Sequence, residues 1–305
     1  MRLSFITGAL ALISSVTSLA LQVREEPPAP ISGSGTFAAA LLAKRANPWA
    51  ARHGLTTAQY QTVANDFASQ GYRITWISGY TINNVATYAV IFEKKPTAAW
   101  VSRIQMTAAQ YQSNFNTYIA QGYRPILVNG YNVGGTDYYV AIWDASPAPG
   151  AWIARHGLTA ADYQTQFTAN TAAGYYPFHI SGYSIGPDAT SSPRYAAIWI
   201  KIPNAPAWVA RHGLTSAAYQ TETNTWVAQN YRTKIVCGYQ VAGVVYYAAV
   251  WDKSAGSAWG ARHGMTSAGY QAEVNTWVAA GYAITLVSGY SQSQSDRYAA
   301  IFTKV

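Results

Sequence analysis

Gly182-Tyr183-Ser184-Ile185-Gly186 has the Gly-x-Ser-x-Gly form of a nucleophile elbow. In that motif a sharp turn between a strand and a helix holds a serine hydroxyl in the open for attack on an acyl carbon. The flanking sequence argues against this chemistry, because a turn-rich segment from Pro187 to Pro193 follows and leads into an apolar run rather than a helix. Ser184 therefore reads as a loop residue. Four histidines, His53, His156, His212 and His263, recur within the string Ala-Arg-His-Gly. They are the right residue type for zinc, but no cysteine or carboxylate recurs beside them, so no metal and no cofactor is expected. Glu222 and Glu273 would be the pair for acid–base work. Val63, Asn114 and Gln166 hold the corresponding places, which makes exposed helix surface the simpler reading. The single cysteine, Cys237, stands where Ser78, Asn129, Ser181 and Ser288 occur elsewhere, and reads as a small buried strand residue. No residue is assigned a catalytic role.

These comparisons between positions are possible because the chain repeats. Blocks opening with Trp49, Trp100, Trp152, Trp208 and Trp259 are 51, 52, 56 and 51 residues apart. A fixed period of that size marks one supersecondary unit used five times. The repeat domain is expected over 46–305, with units 49–99, 100–151, 152–207, 208–258 and 259–305. Each unit reads as a Trp-led turn, then a helix, then two strands. Thr56, Thr107, Thr159, Thr215 and Thr266 fit the N-cap, and Gln59 and Gln110 stand three residues on, where a capping box closes. Gly71, Gly122, Gly174, Asn230 and Gly281 fit a left-handed residue ending about fourteen helical residues. In the first unit, Ile74 to Tyr80 and Tyr88 to Phe92 follow as a β-branched and aromatic hairpin with seven residues between the runs. The third unit has eleven residues there. The expected fold is α+β, five tandem helix-strand-strand units. Because the first and last are as apolar as the rest, they are expected to close into a five-fold, propeller-like ring rather than end in polar caps.

Arg52, Arg103, Arg155, Arg211 and Arg262 occur in all five units, as a repeated interface contact would require. Asp144 or Asp252, at the end of a neighbouring strand, is the expected partner. The four histidines are expected in the turn before the helix with their rings hydrogen-bonded.

The first twenty residues do not read as fold. Arg2, an apolar stretch from Leu3 to about Ile13 and Ser18-Leu19-Ala20 form a secretory signal, residues 1–20, too short to span a membrane. Residues 21–45 end in Lys44-Arg45 and read as a propeptide removed by a dibasic protease, which points to a eukaryotic, fungal source. Residues 46–305 carry 16 Lys and Arg against 10 Asp and Glu with no basic run, so a nucleic-acid footprint is absent. With no disulfide possible, burial of apolar and aromatic surface must hold the fold. The chain has 24 tyrosines and 11 tryptophans, side chains that combine a stacking face with a hydrogen-bonding tip. Tyr80, Tyr131, Tyr183, Tyr239 and Tyr290, at the hairpin tips, are the candidate ligand-binding residues.

The succession Trp-x-Ala-Arg-His-Gly-Leu-Thr, Tyr-Gln, Gly-Tyr, Ser-Gly-Tyr and Tyr-Ala-Ala-Ile-Trp resembles bacterial tandem repeat domain 1, the amino-terminal repeat domain of secreted fungal polyglycine hydrolases. The likeness covers Trp49 to Val305. In those enzymes a β-lactamase-like domain does the chemistry, and its nucleophile is a serine three residues before a lysine. Leu41, Ile91, Phe92, Ile198, Tyr231, Val250 and Ile301 precede the lysines here at that distance, so the family's hydrolytic activity is not expected of this sequence. The expectation is a secreted, monomeric, non-catalytic module presenting aromatic surface to an extracellular polymer, either a cell-wall glycan or a Gly-rich protein segment. A hydrolase of serine-peptidase or β-lactamase type, and an effector or protein-interaction scaffold, are the alternatives.

Overall fold

A computed structural model describes residues 48–95, 98–185 and 191–305. The expected signal peptide and propeptide lie outside the described residues, as does Gly186 of the elbow motif. Each of the five repeats is strand, helix, strand, strand. In the first these are Trp49–Thr56, Thr57–Ser69, Arg73–Ile82 and Val85–Glu93. The second strands of the others are Arg124–Val133, Tyr176–Ile185, Arg232–Val241 and Tyr282–Gln292. No helix among the described residues is long and apolar enough to cross a membrane.

The helices form where the capping signals put them. Thr56 and Thr107 each close a capping box with Gln59 and Gln110. In every repeat the N-cap threonine accepts a backbone N–H from the first turn, meeting one of the orphan donors at a helix start. Gly71, Gly122, Gly174, Asn230 and Gly281 have φ of 82°, 85°, 81°, 65° and 81°, the left-handed stop expected of them. Each helix runs 13 residues and seats a tyrosine against the third strand of its own sheet, as Tyr60 does on Tyr88 with ring centroids 5.2 Å apart.

The Trp-led segment is a strand, not a turn, so the unit has one strand more than expected. Trp49 to Arg52 pair with Glu93 to Val90, and Leu55 resumes pairing at Tyr88. Two residues, His53 and Gly54, thus face one, which is a β-bulge. Gly54 supports it with φ 66°, and Gly157, Gly213 and Gly264 repeat the device. The glycine that resembles a turn signal in the sequence marks an irregularity inside a strand.

Every sheet is antiparallel, with the order first, third, second. The second strand is therefore an edge, and its unpaired backbone needs a partner. That partner is the neighbouring repeat. Second strands of consecutive repeats contact each other, and the second strand of repeat one also contacts that of repeat five.

The tripeptide of small polar residue, glycine and tyrosine makes these junctions. The amide of Gly79 donates to Asn129 at 2.6 Å, and those of Gly130, Gly182, Gly238 and Gly289 donate to Ser181, Cys237, Ser288 and Ser78 at 3.0–3.3 Å. The tyrosine one residue beyond each acceptor's glycine then covers the same donor glycine of the preceding repeat. A Cβ built on Gly79 would stand 2.8 Å from the Tyr131 ring, and it would be closer still to the corresponding ring at Gly130, Gly182, Gly238 and Gly289. Cys237 thus sits buried in a serine's place and does a serine's work.

Gly238→Ala forces its new methyl into the Tyr290 ring. Overpacking of this kind costs about 1–3 kcal/mol. Urea unfolding followed by fluorescence is expected to show that loss, whereas Gly135→Ala, at a position with open space but φ 83°, costs only its backbone strain. Equal midpoints for wild type and Gly238→Ala would show that the close approach does not hold the repeats.

Candidate functional site

The five hairpins meet around a cavity of about 470 Å³ lined by residues from every repeat. Its mouth is formed by tight turns that bond to one another. The amide of Gly134 donates to Asn84 Oδ1 at 2.6 Å, that of Ser293 to Gln240 Oε1 at 2.9 Å and that of Asn83 to Gln294 Oε1 at 2.9 Å. Below the mouth, Thr81, Asn132, Ser184, Gln240 and Ser291 occupy one slot of the five second strands. Below these come the Gly-Tyr pairs, then Ser78, Asn129, Ser181, Cys237 and Ser288. Among the described residues, none of the side chains lining the cavity is charged. Ser291 Oγ is buried there with no hydrogen-bond partner.

Deeper still, the space contracts to about 10 Å³ between Trp76 and His179. These belong to repeats one and three, which are not consecutive, yet their rings meet edge-on at 5.5 Å. Trp76 Nε1 donates to Val287 O at 2.8 Å, and His179 Nε2 lies 2.9 Å from Val128 O, so each polar ring satisfies a backbone carbonyl of another repeat. Neither residue belongs to a motif that recurs along the sequence. Their signal is present, since the same slot is Leu127, Ile235 and Leu286 in the other repeats.

The five candidate ligand-binding tyrosines all border this cavity. Their rings, however, are only 2–4% exposed, so the open stacking faces expected of Tyr80, Tyr131, Tyr183, Tyr239 and Tyr290 are not there. Each is committed to a junction. Tyr80, Tyr131, Tyr183, Tyr239 and Tyr290 share hydrogen bonds of 2.6–2.8 Å with Tyr298, Tyr88, Tyr139, Tyr195 and Tyr247 of another repeat. In repeats four and five the bulge amides of Gly213 and Gly264 donate to Tyr239 and Tyr290 at 3.1 Å. Burial pushes these phenols far above their ordinary range, so they remain neutral hydrogen-bonding groups.

A family model described as the polyglycine hydrolase-like structural repeat matches residues 46–95, 97–146, 149–202, 205–254 and 256–305. The chain belongs to the polyglycine hydrolase-like structural repeat family. No curated protein matches it.

The remaining candidate residues of these polyglycine hydrolase-like repeats are also placed by the junctions. Ser184 lies in a strand, paired opposite Pro193, rather than in a loop, and the next described element is the strand Ser192–Ile200, not the helix that an elbow requires. Each recurring histidine sits in the first-strand bulge, not in a turn. Its ring stands edge-on to two tyrosines of the preceding repeat: Tyr270 and Tyr298 for His53, Tyr111 and Tyr139 for His156, Tyr163 and Tyr195 for His212, Tyr219 and Tyr247 for His263. His53 and His263 also bond Ser267 and Ser216 at the neighbouring helix start.

The recurring arginines do not reach Asp144 or Asp252. Each folds back to the carbonyl of the residue before it. Four lie over an aromatic ring of their own helix: Arg52 on Phe67, Arg103 on Tyr118, Arg211 on Trp226 and Arg262 on Trp277. Glu222 and Glu273 complete two of these clusters, accepting from Trp226 and Trp277 Nε1 at 2.8 Å, and are half-buried rather than exposed. Asp144 and Asp252 do bridge repeats, but to Arg73 at 2.7 Å and to the Tyr176 hydroxyl at 2.9 Å.

Burial lowers the recurring imidazoles, that of His156 to about 4 from an ordinary 6.5. The folded chain keeps His156 neutral where the unfolded chain would protonate it. Its contribution is complete above pH 6.5 and declines as the pH falls toward 4, by about 3 kcal/mol. Repeat two carries Ile104 in the same slot. His156→Ile is therefore expected to fold and to lose less stability than wild type between pH 6.5 and 4.5 in urea titrations. An unchanged acid slope would show that this imidazole is not the group resisting protonation.

Proposed function

We propose that this chain is a secreted, non-catalytic binding module whose five repeats close into a ring and present the cavity among the hairpins to a neutral polar polymer, a cell-wall glycan or a Gly-rich protein segment. The lining carries this reading: glycine backbone, amides and hydroxyls drawn from all five repeats, without a charged side chain among the described residues. A concave site with several convergent polar groups is the usual form of a ligand site, and its volume falls in the usual range of roughly 300–1,000 Å³. Binding runs through backbone, amide and hydroxyl groups at the hairpin level rather than through stacking on the five tyrosines.

Closure of the ring is supported by the contacts between the first and last repeats. Tyr80 with Tyr298, Gly289 with Ser78 and Trp76 with Val287 are of the kinds found between consecutive repeats. A ring leaves no terminal repeat with a bare apolar face, which accounts for the lack of polar caps.

The test is a pull-down of the secreted chain on insoluble β-glucan and chitin, with thermal shift on soluble glycans and on polyglycine peptide, and with products monitored in the same samples. Saturable binding without product is expected. A ligand at a hundred times its Kd stabilises the fold by about 2.7 kcal/mol, so the melting temperature should rise by several degrees. Turnover of any of these polymers would overturn the non-catalytic reading, and absence of binding to all of them would overturn the module itself.

A further inference from the structure

The same cavity supports a narrower statement about what enters it, which rests on the binding-module reading above. Its depth is limited. The room below the Gly-Tyr level is about 10 Å³, close to the minimum that one water needs, because Trp76 and His179 meet across the interior. Both rings are tied to backbone carbonyls, so the obstruction is held in place rather than being a loosely packed side chain. The cavity is a blind well. A polymer cannot thread through it, and about 470 Å³ leaves little space for a strand that enters and turns back.

A blind well admits ends. The ends of polymers differ in charge, and here the lining decides between them. A peptide terminus brings an ammonium or a carboxylate, and moving either into a site without a counter-charge costs several kcal/mol or more. Among the described residues, no lining side chain is charged. The end of a neutral glycan brings hydroxyls, each both donor and acceptor, for which Asn, Gln, Ser and Thr side chains are suitable partners. Ser291 Oγ lies buried in the wall of the well without a hydrogen-bond partner.

We infer that the well is a chain-end site, taking the terminal sugar units of a neutral glycan inserted end-on among the five hairpins. The Trp76–His179 contact is its floor, and Thr81, Asn132, Ser184, Gln240 and Ser291 are the side chains that read the inserted end.

Isothermal titration of the whole secreted chain tests this with linear β-1,3-gluco-, cello-, malto- and chito-oligosaccharides of two to six units, with α-cyclodextrin as an endless sugar, and with hexaglycine bearing free or capped termini. At least one linear series is expected to bind, with affinity levelling off after about three units, a length set by the well's volume. α-Cyclodextrin and both hexaglycines are expected to bind at least tenfold more weakly. Ser291→Trp fills the well and should lower affinity at least tenfold; Ser184→Leu, from another repeat, should do the same if the first variant melts early. Affinity that keeps rising with length, equal binding of the cyclic sugar, or binding unchanged in both variants would overturn the chain-end site while leaving the module reading intact. Tighter binding of hexaglycine, lost in Ser291→Trp, would replace the glycan by a peptide. Insoluble polymers captured with no oligosaccharide bound would sink the chain-end inference alone, and no binding of any kind would sink both.

Discussion

The structure depends on an edge-strand problem and its solution. No sheet continues from one repeat to the next, so each second strand leaves half its backbone unpaired against its neighbour. A chain without disulfides must cover that edge by side-chain chemistry. It does so with one residue triplet. The small polar side chain takes the neighbour's glycine N–H, the missing Cβ of that glycine lets a tyrosine ring lie flat on it, and the tyrosine hydroxyl reaches a second tyrosine beyond. Each member requires the others. A Cβ on the glycine expels the ring, and a displaced ring leaves two buried hydroxyls unpaired, at about 1–3 kcal/mol apiece. This accounts for a composition rich in tyrosine more directly than an exposed aromatic surface does.

Local signals in the sequence were sufficient for local structure. The threonine caps, the left-handed helix stops and the hairpin all lie where residue type and spacing placed them, because a cap or a stop is decided within one turn of chain. The first strand was not legible. Its pairing partner lies some forty residues on, its glycine reads as a turn, and the bulge interrupts the alternation that would otherwise mark a strand. Contacts between repeats were illegible for the same reason. An arginine present in every repeat implies a repeated contact, but not whether that contact is a neighbour's carboxylate or the face of its own helix's aromatic ring. The structure shows mostly the latter.

Residue types capable of chemistry have been absorbed into packing at almost every position. The recurring histidines fill the space between two tyrosines, and Ile104 does the same in repeat two, so what the slot demands is bulk. Glu222 and Glu273 tether an indole and an arginine. Cys237 accepts one amide hydrogen. A carboxylate or imidazole in an aromatic protein of this kind is weak support for catalysis unless its hydrogen-bonding capacity is directed at open space.

The second strands contain both kinds of position side by side. In the glycine and tyrosine slots all five repeats agree, since one substitution would misfit the neighbouring ring. Two residues along the strand from the glycine, bordering the cavity, the repeats hold Thr81, Asn132, Ser184, Gln240 and Ser291, which share polarity but, the two serines apart, differ in size and shape. These side chains meet no neighbouring glycine as the tyrosines do, and the hydrogen bonds they make differ from repeat to repeat, so the slot tolerates different polar residues. Five identical residues would offer a ligand five equivalent orientations and no preferred one. Four residue types in five places remove that degeneracy, as the proposed recognition of an asymmetric sugar requires. In the proposed ring the uniform slots hold the scaffold and the divergent slot is the one that would carry the proposed selectivity, with both properties arising from nearby residues of one strand.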